Sequence, residues 1–155
     1  MRSGRNSYAV LSRAVVNLIV DSSVVLKWFV TEEDSDVALR LRAEHNFSAP
    51  DLLLIECRNA FLNKVRRKKL SPDGARLFER QLTWDIELEI LPSGPLLPHA
   101  FQLALELDEA IYDCVYLAAA MGTERLLISA DARFAAKVAA TVSPERVRLL
   151  SSGLA

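Results

Sequence analysis

Four carboxylates fall where carboxylates are costly. Asp21 closes the apolar run Leu18-Ile19-Val20, and Glu56 interrupts Leu52-Leu53-Leu54-Ile55 just ahead of Cys57. Asp113 sits between Ala110-Ile111-Tyr112 and Cys114-Val115-Tyr116-Leu117-Ala118, and Asp131 follows Leu126-Leu127-Ile128-Ser129-Ala130. Most other acids, such as Glu32, Glu33, Asp34 and Asp36, lie in polar segments. A carboxylate in or beside a core has to be paired, protonated or bound to a metal. Taken singly, each has an ordinary explanation. Asp21 and Asp131 can cap the helices that follow them, Glu56 can pair with Arg58 or Lys27, and Asp113 can pair with a nearby arginine or cap a helix start. Taken together they do not, because no matching set of embedded cations exists. Converging carboxylates repel one another, and a hard divalent cation such as Mg²⁺ or Mn²⁺, which prefers oxygen ligands, relieves the repulsion. Such a centre suits phosphodiester hydrolysis. A metal activates water, and a second ion roughly 3.5–4 Å away stabilises the leaving oxygen. The metal charge also offsets repulsion between an acidic pocket and a phosphate backbone.

The elements that must position these acids alternate. Asn17 to Val20 is a short apolar run that reads as a buried strand, with Asp21 at its end. Ser22 to Val30 reads as helical, capped by Ser22 or Ser23, and Asp34 to His45 as an amphipathic helix. Phe47 to Pro50 is a brief strand, after which Asp51 opens a long helix predicted to run to about Lys69. Ser71 starts a helix reaching about Trp84, and Leu88 to Leu91 is a strand stopped by Pro92. Helices are predicted over Leu96 to Leu107 and Ile111 to Met121, with Gly122 ending the second. Leu126-Leu127-Ile128 is a buried strand, Asp131 to Ala140 a helix and Val147 to Leu150 a last strand. Strands separated by helices predict a single α/β/α sandwich with a mainly parallel central sheet. In such sheets the ligand site lies beyond the carboxyl ends of the strands, where strand order reverses. If the strands before Asp21 and Asp131 are neighbours, their carboxylates face each other there.

Composition narrows the classes. A chain of 155 residues is one ordinary domain, and 51% hydrophobic with 25% charged residues describes a globular protein rather than a disordered one. The net charge of −1 supplies no global basic field, so nucleic-acid binding requires a local patch or metal ions. No apolar run is long enough to span a bilayer. Cys57 and Cys114 suggest small buried hydrophobes in a reducing cytoplasm rather than a disulfide framework, and the cysteines and histidines lack zinc-site spacing. Residues 1–16 carry Arg2, Arg5 and Arg13, interrupted apolar stretches and no clean cleavage site. They read as an irregular extension, or the product of an early start codon, ahead of a domain over residues 17–150, not as a signal peptide.

At this point a family resemblance emerges. The chain resembles a PIN domain of the VapC toxin type over about residues 17 to 140. Val20-Asp21-Ser22-Ser23-Val24-Val25-Leu26-Lys27-Trp28-Phe29 is similar to the family's opening motif. Ala49-Pro50-Asp51-Leu52-Leu53, with Glu56 and Asn59-Ala60, resembles the second. Tyr112-Asp113-Cys114-Val115-Tyr116-Leu117-Ala118 resembles the third, and Ile128-Ser129-Ala130-Asp131-Ala132-Arg133-Phe134 the fourth. One block alone is a weak signal; all of them in order at matching spacing are a strong one. The resemblance implies a Mg²⁺- or Mn²⁺-dependent endoribonuclease whose acidic positions are Asp21, Glu56, Asp113 and Asp131. Ser129 matches a position usually held by threonine or serine near the metal, and Asn59 and Lys27 are expected behind the ligands. It also implies an RNA substrate, a small antitoxin partner covering the active site, and a homodimer. Two departures stand out. An extension precedes a strand that usually begins the protein, and Asp108 and Glu109 add acid beside the third motif, where either can reach the site.

Other features have ordinary readings. Lys64-Val65-Arg66-Arg67-Lys68-Lys69 is the one dense basic run, and cations favour a helix C-terminus. Arg66, Arg67 and Lys68 are the alternative candidates for RNA-phosphate or partner contacts. Trp28 and Phe29 read as core, and His45 and His99 have no catalytic partner. A response-regulator receiver also places acids at strand ends, but it needs a lysine after a late strand, and Ala132 and Arg133 follow Asp131 here. A non-catalytic PIN-like binding module would have lost an acid, and none is lost. A housekeeping PIN nuclease without an antitoxin is the remaining alternative.

Overall fold

The structure, a computed structural model, describes residues 14–154, so most of the expected N-terminal extension lies outside the described residues. Five strands are present among them: β1 (Asn17–Val20), β2 (Asn46–Pro50), β3 (Glu89–Leu91), β4 (Leu126–Ser129) and β5 (Val147–Leu149). They form one sheet in the order β3-β2-β1-β4-β5. The expected mainly parallel sheet is parallel at every pairing. The helices are α1 (Ser22–Val25), α2 (Ser35–Glu44), α3 (Leu52–Arg66), α4 (Pro72–Trp84), α5 (Leu97–Leu107), α6 (Ile111–Gly122) and α7 (Ala132–Thr141). Strands β1 to β3 march one way from the centre and β4 to β5 the other. Right-handed crossovers in opposite directions put helices on opposite faces, which gives the α/β/α sandwich.

The core explains the long apolar runs. Leu18, Ile19, Val20, Leu127 and Ile128 are buried because both faces of their strands are covered. Helix α6 is apolar nearly all round and is buried from Cys114 through Ala120, packing on β1, β2 and β4. Trp28 and Phe29 are packed in, as expected. Trp28 donates its indole N–H to the Ala38 carbonyl at 3.2 Å and meets Phe47 edge-on, while Phe29 packs against Phe61 and Phe78. Both cysteines are buried and free, and burial pushes the Cys57 thiol up to about 12.

Several local expectations are corrected. The segment after β1 is one α-turn continued by a 3-10 turn over Leu26–Trp28, and its cap is Asp21 rather than Ser22 or Ser23. Asp51 opens α3 without capping it; its carboxylate accepts from the backbone N–H of Ser93 at 3.1 Å and from the Ser93 hydroxyl. Helix α3 stops at Arg66, not near Lys69, because Lys68 adopts a left-handed conformation with φ 56°. Its N–H donates to the Val65 carbonyl and that of Lys69 to the Lys64 carbonyl, each at 2.9 Å, which is a Schellman closure with lysine where glycine is usual. Helix α6 likewise runs through Gly122, and Glu124 takes the left-handed position instead.

Candidate metal centre

The reversal of strand order falls between β1 and β4, which are paired with Val20 opposite Ile128. Each strand ends in a candidate acid. Asp21 caps α1, its Oδ1 accepting from the Val24 N–H at 3.3 Å, and Asp131 caps α7, its Oδ1 accepting from the Phe134 N–H at 2.9 Å. The capping explanation is therefore realised for both, yet it occupies one carboxylate oxygen of each. Asp113 lies in the first turn of α6 and makes no hydrogen bond among the described residues, and Glu56 lies one turn into α3. All of them except the exposed Asp131 are half-buried.

Asp113 lies near enough to each of the other three for their charges to act on one another. Burial, offset by hydrogen bonds from Ser129, Ser23 and the Val24 amide, pushes the Asp21 carboxyl up to about 6, and the charge of Asp113 pushes in the same direction. Asp113 is raised as well, first by burial and then by the charges of Glu56, Asp131 and Glu109. The neighbouring cations are engaged elsewhere. Arg58 bonds Glu79 at 2.9 Å and Thr83 at 2.8 Å, and Lys27 donates to the Glu33 carbonyl at 2.8 Å while pairing with Glu32. So Glu56 pairs with neither cation considered for it.

Glu109 separates from the group. Hydrogen bonds from Arg133 and Lys137 hold its carboxyl at about 2, and those two cations largely enclose it. The acidic group beside the third motif therefore comes with its own positive charges. Asp108 ends α5 in a left-handed conformation, and its carbonyl accepts from Lys137 at 3.1 Å.

Three supporting side chains complete the picture. Ser129 is fully buried, and its hydroxyl reaches Asp21. Ser23 and Tyr116 were not singled out from the sequence. The Ser23 hydroxyl donates to Asp21 and accepts from the Ala130 N–H at 3.0 Å, tying the end of β1 to the end of β4. The Tyr116 hydroxyl donates to Glu56 Oε2 from a ring that is 2% exposed. Tyr116 follows Asp113 by three positions, so one face of α6 carries an acid and the donor that holds another. A buried tyrosine needs a hydroxyl partner, and that is the signal that could have found it. Asn59, one turn beyond Glu56 on α3, is exposed, and Lys27 faces Glu32 and Glu33 rather than the acids.

Among the described residues no three Asp, Glu, His or Cys side chains stand close enough to grip an ion as they are. The donor chemistry fits a hard divalent cation, because every candidate group is a carboxylate oxygen.

Comparison with known proteins gives the family and the fold. The PIN domain family matches residues 18–139. Ribonuclease VapC3 of Pyrobaculum aerophilum is 30% identical over 132 residues, covering 83% of this chain and all of that protein. The crystal structure of PAE2754 from Pyrobaculum aerophilum superposes with a TM-score of 0.65 at 19% identity, over 89% of this chain and 91% of its own. A toxin-antitoxin complex from Klebsiella pneumoniae superposes with a TM-score of 0.56 at 14% identity, over 86% of this chain and 97% of its own. At these identities the two structures speak for the fold.

Proposed function

The chain belongs to the PIN-domain family, and on that premise we propose that it is an endoribonuclease, the toxin of a toxin–antitoxin pair, with residues 17–150 as the nuclease domain. The observation that carries the chemistry is the group of acids at the strand-order reversal that form no ion pair with any described residue, Arg133 beside them being taken by Glu109. The kinship with a protein named as a VapC ribonuclease carries the toxin assignment.

Asp21, Glu56, Asp113 and Asp131 would hold the Mg²⁺ or Mn²⁺ ion, which when bound would supply Lewis acidity at the phosphate and an acidified water. Ser23 and Ser129 orient the Asp21 carboxylate, and Tyr116 orients Glu56. Water would attack phosphorus in line as the opposite bridging P–O bond breaks, the departing oxygen taking a proton from solvent, with no covalent enzyme intermediate. No described helix is long and apolar enough to cross a membrane, and the setting we propose is the cytoplasm.

The toxin reading has a growth test. Induced expression without a partner should slow bacterial growth and leave cut RNA, and Asp21→Asn should relieve both. Equal slowing by the two forms with intact RNA would point to expression burden and refute the reading.

A second copy is the partner proposed for α5. That helix exposes Leu97, Phe101 and Leu105 at successive turns, an apolar stripe with nothing described packed on it. Phe101→Asp should convert a dimer to a monomer in sedimentation while the circular dichroism spectrum stays unchanged. A parent protein that sediments as a monomer at tens of micromolar would rule the dimer out. The antitoxin is the partner proposed for the acidic face, in line with the complex that shares this fold.

A further inference from the structure

The basic run after α3 is not one surface. An open groove begins at Ser23 and Asp131, beside the candidate acids, and runs past Lys27, Lys64, Arg67 and Lys69. Arg66 and Lys68 do not line it. The division follows from the backbone. Lys68 turns left-handed, and the Lys69 N–H closes on the Lys64 carbonyl, so the chain doubles back over the last turn of the helix. That closure returns Lys69 to the side of Lys64 and turns Lys68 away. Arg66 instead bonds Asn63 at 3.1 Å.

Charge within the groove is unequal. Glu32 bonds Lys64 and pairs with Lys27, so those two lysines share one carboxylate. Arg67 and Lys69 are exposed and make no ion pair with any described residue. A net positive track that ends at an acidic centre is matched by a polyanion whose reacting phosphate sits at the acids and whose neighbouring phosphates lie along the track.

We propose that this groove binds the backbone of the RNA strand on one side of the cleaved bond, with Arg67 and Lys69 contacting its phosphates. The inference rests on the ribonuclease reading above and adds the path of the substrate. Contacts of this kind set register and affinity and carry no base preference.

The test compares two double variants from the same six-residue run, each removing two positive charges. R67A/K69A is set against R66A/K68A, with binding of a fluorescein-labelled single-stranded RNA followed by anisotropy in EDTA across a KCl series. Each phosphate contact contributes about 0.7 to the slope of log affinity against log salt for a single strand. R67A/K69A should therefore lower the slope by about 1.4 and weaken binding roughly tenfold near 0.1 M salt, while R66A/K68A stays close to the parent. All four side chains are exposed, so both variants should unfold at the parent's temperature. Equal losses in the two variants would mean general attraction to the helix end and no groove. Unchanged RNA binding in both would hand the surface to a protein partner. Either outcome overturns the inference while leaving the ribonuclease reading intact, whereas a parent protein that neither binds nor cuts RNA defeats both.

Discussion

Asp113→Asn should lower RNA cleavage by roughly 10³-fold, and EDTA should stop cleavage by the parent protein altogether. The size follows from what the acid is asked to do. An ion at the phosphate supplies several kcal/mol of charge stabilisation in the transition state, and each 1.36 kcal/mol is a factor of ten. Asp113 is the cleanest position for the test. It neither caps a helix nor makes a hydrogen bond among the described residues, so an amide in its place removes charge and little else. The measurement is cleavage of a labelled RNA mixture in Mg²⁺, in Mn²⁺ and in EDTA. Undiminished cutting in EDTA would sink the metal mechanism, and undiminished cutting by Asp113→Asn would remove that residue from the centre.

The second large effect concerns stability and needs no substrate. Carboxylates made harder to ionise by burial, and next by one another's charge, destabilise the metal-free fold when ionised. Asp21 shows the sign. Its carboxyl titrates near 6 in the folded chain against 3.8 in the unfolded one, so the folded state holds the proton more tightly between those values. Metal-free stability should therefore fall as pH rises from about 4 to about 6, by at most on the order of 3 kcal/mol from this residue, and the penalty should persist above pH 6. Asp113, raised in the same direction, adds to the trend. Asp113→Asn should consequently leave the protein in EDTA as stable as the parent or more so at pH 7. Mn²⁺ should reverse the order. An ion at ~100 times its dissociation constant adds roughly 2.7 kcal/mol to the parent, and much less to a variant that has lost a ligand. Thermal unfolding of both proteins, each with EDTA and with Mn²⁺, gives the four values required. A variant clearly destabilised in EDTA, with both proteins responding equally to Mn²⁺, would make Asp113 a structural residue.

The strands and helices were legible because their signals are local. Short apolar runs between helical segments declared a buried parallel sheet, and every expected strand appears within a residue or so of its place. The acids were legible for the same reason: a carboxylate inside an apolar run is visible without coordinates. What stayed hidden lies between segments distant in the chain. Sequence could not rank Arg58 against Lys27 as a partner for Glu56, and the chosen donor is neither; it is the hydroxyl of Tyr116, which is 60 positions away. Glu109 was an open candidate until Arg133 and Lys137 from α7 closed on it. The basic run reads as six consecutive positions, and only the left-handed turn at Lys68 decides which of its cations line the groove that reaches Asp131. Periodicity and burial are properties of a segment and its own residues. Pairing, charge compensation and groove direction depend on which elements the sheet order brings together, and that order is an outcome of the whole packed chain.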